Sequence, residues 1–303
     1  METLTEEVLI NEVEKILDID YGKASWKRKI KTTKKLVLSG GGIRGFAQLG
    51  ALHVLDELGI LQNIEDYVGT SVGGMIIILL VIGYKPIDIY RALINEKFAD
   101  VIECDIDRMI NNFGLDDGSG VMKILSVFLA KKGVTTSTTF LDLYNRTNKN
   151  INMIGCCLTK KNKKEVLSHR TTPNMPIIMG IRITSSIPFI FEPVRYEGHV
   201  YVDGGCIDNY PCNVVENSDE DTIGVFIKNN LMNANSVESI ENYAYLILQS
   251  FIDTMAEKAT GCGKDYTLII NYDDYGAADF SMPLSAKKKM FEHGYKKMAN
   301  KFY

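Results

Sequence analysis

The chain lacks the marks of several common classes. Its 303 residues carry no excess of positive charge, with 34 Lys and Arg against 38 Asp and Glu, a formal net charge of −4. Nucleic acid is therefore not expected as a partner, since binding it usually needs a basic face. Long apolar runs are missing too. The longest, Met75 to Ile82, is 8 residues, whereas a membrane-spanning helix needs about 20. The opening stretch METLTEEVLINEVEKILDID is acidic and amphipathic, with no basic flank before an apolar run, so no secretory signal is read there. The six cysteines (Cys104, Cys156, Cys157, Cys206, Cys212 and Cys262) include no C-x-x-C pair, which argues against a zinc site. Free thiols in a reducing compartment, and a cytoplasmic protein that at most touches a membrane, are the expectation. There is no internal repeat, no low-complexity tract and no Pro/Gly/Ser-rich linker dividing the chain.

What is present is the balance of a soluble globular protein, 46% hydrophobic and 24% charged. Residues 1–34 read as a leader: an amphipathic helix near Glu6–Leu17, then a basic stretch around Lys27–Lys35. A packing helix with a linker and a docking arm are both open readings of it. Residues 35–303 read as one domain, with its motifs between 35 and 228. Leu36-Val37-Leu38 forms a buried strand ending in Ser39-Gly40-Gly41-Gly42, and Gly45–Leu58 then has apolar residues at helical spacing. A second strand, Asp66–Gly69, runs into Thr70-Ser71-Val72-Gly73-Gly74 and the all-apolar Met75–Ile82, a helix for the centre of a domain. Further strands are expected at Ile151–Leu158, His199–Val202, Thr222–Ile227 and Tyr266–Asn271. Helices are expected at Pro86–Phe98, Gly120–Ala130, Met175–Ile183 and Tyr243–Lys258. Strands alternating with helices predict an α/β fold, a central, largely parallel sheet flanked by helices on both faces.

Two glycine-rich turns carry the chemistry. Gly69-Thr70-Ser71-Val72-Gly73 is a G-x-S-x-G motif between strand and helix, the context in which a serine hydroxyl is held on a sharp turn above a sheet. Gly69 and Gly73 let strand and helix approach closely, and the helix N-terminus beside Ser71 favours developing negative charge. The second turn is Gly40-Gly41-Gly42-Ile43-Arg44-Gly45, whose backbone N–H groups suit an anion. Gly40, Gly42 and Gly45 also match the dinucleotide pattern G-x-G-x-x-G, but that reading expects an acidic residue at the end of the next strand. Here that strand ends in Gly69-Thr70-Ser71, and Glu65 and Asp66 stand at its beginning. An oxyanion is the better match, and a nucleotide-dependent oxidoreductase stays only as a weakened third reading.

A serine nucleophile needs a base. His53 sits inside a helix, His169 in a polar loop, His199 at the start of a strand and His293 in a lysine-rich C-terminal helix. None has a favourable neighbourhood. Asp203 ends the strand His199–Val202 and precedes Gly204-Gly205, so a carboxylate comes to the same sheet edge. Titrating near 4, it would need a dry pocket or concerted transfer to act on an alcohol.

Gly40–Gly45, Gly69–Gly73 and Asp203-Gly204-Gly205, in that order, resemble the motifs of the patatin-like phospholipase family, over roughly Lys35 to Lys228. Thr184-Ser185-Ser186-Ile187-Pro188 is similar to that family's small-residue-plus-proline segment, and Asp279-Phe280 with the helix after it to its bacterial-type C-terminal part. Val72 and Gly74 depart from the alanines frequent in the family. The resemblance implies hydrolysis of phospholipid or other acyl-lipid esters by a Ser–Asp dyad, with Ser71 as nucleophile, Asp203 as base and the Gly41-Gly42 region as oxyanion hole. It implies no cofactor or metal. The alternative is a catalytically silent lipid-binding or scaffold protein on the same fold. Ile187–Phe191 reads equally as an apolar lip for an acyl chain or bilayer and as core. Lys160–Lys164 and Lys287–Lys289 could meet head groups, though solvated faces explain each.

Overall fold

A computed structural model describes residues 23–102, 105–214, 221–228, 265–272 and 274–303, with 243, 246, 247, 249, 250 and 252. The expected helix at Glu6–Leu17, most of that at Tyr243–Lys258, Cys104 and Cys262 lie outside the described residues. The strands in chain order are β1 (Lys35–Leu38), β2 (Asp66–Thr70), β3 (Gly114–Asp116), β4 (Asn150–Cys157), β5 (Lys164–Leu167), β6 (Phe189–Phe191), β7 (Val194–Tyr196), β8 (His199–Asp203), β9 (Thr222–Lys228) and β10 (Thr267–Asn271). One sheet runs β10-β9-β1-β2-β4-β8-β7, with β5 also paired to β4, and β3 pairs β6 in a two-stranded ribbon. The pairs from β10 to β4 are parallel, and those of β4 with β5 and β8, and of β7 with β8, are antiparallel. The fold is thus α/β, a largely parallel sheet flanked by helices.

The parallel strands β1, β2 and β9 are buried on both sides, as helix-covered strands must be, while the edge strand β10 leaves Ile269 exposed. Side chains alternate between two cores with the period of two that a strand imposes. Leu36, Leu38, Tyr67, Val225 and Ile227 join the large core, while Val37, Val68 and Phe226 join a small one with Tyr210, Cys212 and Tyr266. The helix Gly45–Glu57 is sunk in the large core and packs along the C-terminal helix Leu284–Phe302. The helix Val72–Val81 follows β2 directly and is apolar throughout.

Residues 23–32 are helical and belong to this packing. Trp26 is buried edge-on against Phe302, ring centroids 5.6 Å apart, and Lys29 donates to the Thr222 carbonyl. The basic stretch is therefore a packed helix leading into β1. The expected helix Pro86–Phe98 stops at Leu93, and a separate turn of helix occupies Phe98–Val101. Lys287 caps the end of the first, donating to the carbonyls of Ile94 and Glu96 while its ammonium lies 5.0 Å from the centre of the Phe98 ring. It is buried and so offers nothing to a head group. In the other lysine run, Lys160 pairs with Glu165 and Lys164 with Asp208. Among the described cysteines Cys156, Cys157 and Cys206 are free, but Cys212 is disulfide-bonded, which corrects the expectation of free thiols throughout.

Candidate active site

The two glycine turns leave β1 and β2 side by side, because Leu38 pairs with Gly69 in parallel register. Ser71 follows β2 at φ 55° and ψ −126° and is the residue before the helix Val72–Val81. A non-glycine residue there is strained, and such strain clusters at functional sites. The neighbouring glycines make the turn possible. A Cβ on Gly73 would stand 2.6 Å from the Ser39 carbonyl oxygen, and one on Gly69 2.7 Å from the Gly73 backbone.

Asp203 reaches the same edge from the opposite direction. β8 is antiparallel to β4, and its last residue pairs with Gly155, one position beyond the Thr70–Ile154 pair. A strand running against the parallel set thus ends where the parallel set ends. The Asp203 carboxyl is buried. Its Oδ1 accepts the Gly205 N–H at 2.6 Å, while Oδ2 is enclosed and makes no formed hydrogen bond. Burial pushes its pKa up to about 7, against the pull of the Ser71 hydroxyl and the Gly205 N–H, which favour the ionised form.

In the first turn, most backbone donors are spent on the turn itself. Gly40 N–H donates to Asn209 at 3.0 Å, Ile43 N–H to Ala277 at 3.0 Å, Arg44 N–H to Gly41 at 3.1 Å and Gly45 N–H back into the turn. Among the described residues the N–H groups of Gly41 and Gly42 have no acceptor. Gly42 holds φ 55°, where a Cβ would collide with the Ala277 carbonyl at 2.0 Å.

Thr184 and Asn209, to which sequence reasoning gave no role, bind the motifs together. The Ser71 N–H donates to Thr184 Oγ1 at 2.9 Å, and that hydroxyl donates to the Ile154 carbonyl at 2.5 Å. Asp203 N–H donates to the Ser186 carbonyl at 2.8 Å, so the Thr184–Ser186 segment touches both Ser71 and Asp203. The Asn209 side chain lies against both Gly40 and Gly205. Its place six residues past Asp203 in a loop carries no periodic signal. The small-residue run at Thr184–Ser186 was visible, but its bond to Ser71 spans 113 residues of sequence.

Two cavities meet at Ser71. One, of about 50 Å³, is bordered by Gly41, Arg44, Asp203, Asn209 and Lys228. The other, of about 130 Å³, is almost wholly apolar and runs between Phe46, Leu79, Leu93, Met122 and Phe191. Ile187 borders both and Phe191, itself buried, borders the apolar one, while Phe189 between them is exposed, so Ile187–Phe191 is part lip and part core. No histidine borders either. His53 lies between Phe291 and Tyr295, His169 stacks on Tyr144 with centroids 3.9 Å apart, His199 bonds Thr159 at 3.0 Å, and His293 faces Tyr272. No helix among the described residues is long and apolar enough to cross a membrane.

Comparison with known proteins gives the same picture of the fold. The family model described as patatin-like phospholipase matches residues 36–215, more than half of the chain. A probable lipid hydrolase, 463L, of Invertebrate iridescent virus 6 is 32% identical over 200 residues, covering 64% of this chain and 67% of that protein. The uncharacterized protein R571 of Acanthamoeba polyphaga mimivirus is 28% identical over 288 residues, 87% of this chain and 91% of its own. The crystal structure of VipD from Legionella pneumophila superposes with a TM-score of 0.62 at 19% identity, over 89% of this chain and 66% of that one.

Proposed function

The chain belongs to the patatin-like phospholipase family, and from that premise we propose that it is a lipid acyl hydrolase working through Ser71 and Asp203. One observation carries the reading. A serine held in a strained turn stands where the two cavities meet, and a buried carboxyl with an unspent oxygen borders the smaller of them.

The steps follow from these groups. The acyl chain of an ester enters the apolar cavity, leaving the alcohol portion in the smaller cavity with Arg44 and Lys228. Asp203 takes the Ser71 proton as Oγ attacks the carbonyl carbon. With its pKa raised to about 7, the carboxylate is far better matched to this task near neutral pH than an ordinary one. The oxyanion is met by the N–H groups of Gly41 and Gly42, the two donors the turn leaves unspent. Each such donor is worth about 3–4 kcal/mol of barrier. The proton passes to the leaving alcohol, and water then releases the acyl group from Ser71 by the same route. Contact with a lipid surface belongs to this reading, because such substrates are presented there.

A fluorophosphonate probe tests the assignment together with turnover of a small soluble ester. The wild-type chain should be labelled at Ser71 and turn the ester over, and Ser71→Ala should do neither. Unlabelled wild-type protein that still folds would leave a silent lipid-binding protein instead.

A further inference from the structure

Beside the apolar cavity the surface carries large side chains that the fold does not use. Ile106 and Ile110, four apart on the short helix Ile106–Asn112, are 64% and 69% exposed, and Phe113 after it is 59% exposed. Phe189 stands next to this group, because Gly114 pairs with Phe189 in the β3–β6 ribbon. Scattered exposed apolar residues need no explanation, but a contiguous group does.

The backbone makes the group more unusual. Phe113 holds φ 67° and Phe189 φ 70°, left-handed conformations in which a bulky side chain is a genuine outlier. Both positions would suit glycine, and neither ring is buried, so the fold gains little from keeping phenylalanine there. The same ribbon walls the apolar cavity. Asp116 pairs with Phe191, which lines it, and after the other strand Gly118 and, on the helix Ser119–Lys131, Met122 line it too. The outward group is thus continuous with the passage to Ser71. Its rim is acidic: Arg108 is bridged to Asp105, Asp117 and Glu192, with Asp107 beside them.

We propose that Ile106, Ile110, Phe113 and Phe189 form an insertion surface for a zwitterionic lipid bilayer, seating the cavity mouth against the layer that holds the acyl chains. The inference rests on the acyl-hydrolase reading for its choice of occupant. A protein partner seated here would cover the mouth that substrate must use. The acidic rim disfavours anionic lipid, so burial of apolar area and not charge provides the attraction.

Sedimentation with phosphatidylcholine vesicles tests it, in the Ser71→Ala chain so that the vesicles are not consumed. Ile106→Ser/Ile110→Ser should weaken partition by about tenfold or more. High salt should leave partition unchanged, and adding phosphatidylserine should not raise it. In chains that keep Ser71, soluble-ester turnover should be unaltered by the pair while turnover on vesicles falls. Phe113→Gly separates docking from folding: it should raise the melting temperature and still lower partition. The proposal is overturned by unchanged partition in the serine pair. Binding that requires anionic lipid and vanishes in salt overturns it, as does a wild-type dimer that the pair dissociates. Since partition is read without catalysis, absence of turnover in the wild type would sink the hydrolase reading while the docking result stands on its own.

Discussion

Thr184 and Ser71 are joined by the bond from the Ser71 amide to the threonine hydroxyl, 2.9 Å long, and through that hydroxyl Ser71 is tied to the Ile154 carbonyl. One side chain therefore holds the turn of Ser71 against β4, the strand that also pairs with Asp203. Both Ser71 and Asp203 are thus tied to β4, Asp203 by its strand pairing and Ser71 through the Thr184 clamp.

Removing that clamp should slow the reaction without weakening binding. Thr184→Val keeps the shape but leaves the Ser71 N–H without its acceptor, at a cost of about 1–3 kcal/mol for a buried group. Small misplacements of reacting groups can cost about 100-fold in rate. On a soluble ester kcat should fall and KM stay near wild type, while Thr184→Ser restores kcat. A variant with full kcat would show that the clamp is structural only.

Ser71 itself should be stabilised by removal in one form and not in another. Its φ of 55° with ψ of −126° costs about 1–3 kcal/mol for any residue with a Cβ. Ser71→Gly relieves this, less about 0.5–1 kcal/mol for the greater freedom of glycine in the unfolded chain. Both Ser71→Gly and Ser71→Ala should be inactive, but the glycine variant should melt higher. Equal melting temperatures would mean that the turn is not strained.

The order of motifs and the strands that carry them were legible in the sequence, because β1, β2 and β9 are short apolar runs bounded by glycine or charge. The helix Val72–Val81 was legible for its continuous apolar face. Strands β3 and β6 were not, being three residues each, too short for a period of two to show. The direction of β8 was hidden as well. A strand ending in Asp203 reads the same whether it runs with or against its neighbours, and only the Gly155–Asp203 pair fixes it. The family resemblance singled out Gly41-Gly42 within Gly40–Gly45, but residue type alone ranked none of the six above the others as an anion donor. Which of them spend their N–H groups inside the turn depends on Asn209 and Ala277, far away in sequence.

Filling the apolar cavity should select against long acyl chains. Met122 lies in its wall, half-buried on the helix Ser119–Lys131, so a larger ring can be accommodated at some loss of cavity. With Met122→Trp, kcat/KM for a long-chain nitrophenyl ester should fall about tenfold or more, the worth of a few buried methylenes, while the acetate ester is unaffected. An equal fall for both esters would place the acyl chain elsewhere.

The pH dependence should identify Asp203 as the base and exclude the histidines. If the ionised carboxylate accepts the serine proton, kcat/KM on a soluble ester should rise with pH, with a midpoint near the raised value of about 7. Asp203→Asn should be inactive at every pH, whereas variants of His53, His169, His199 and His293 should each keep the wild-type profile. A histidine base would also give a rising limb near neutrality, so the stability profile is the discriminating measurement. The folded carboxyl has a pKa raised from 3.8, so the folded state binds more protons than the unfolded chain between about pH 4 and pH 7. The stability this contributes is fully present below the unfolded pKa and is lost as pH rises through the folded one. Asp203→Asn carries no such group, so its advantage over wild type should grow from pH 4 to pH 7 and level off above. Denaturant unfolding of both chains across that range reads the difference directly. An Asn variant whose relative stability does not change with pH would mean that Asp203 is ionised throughout, and the rising limb of activity would then belong to another group.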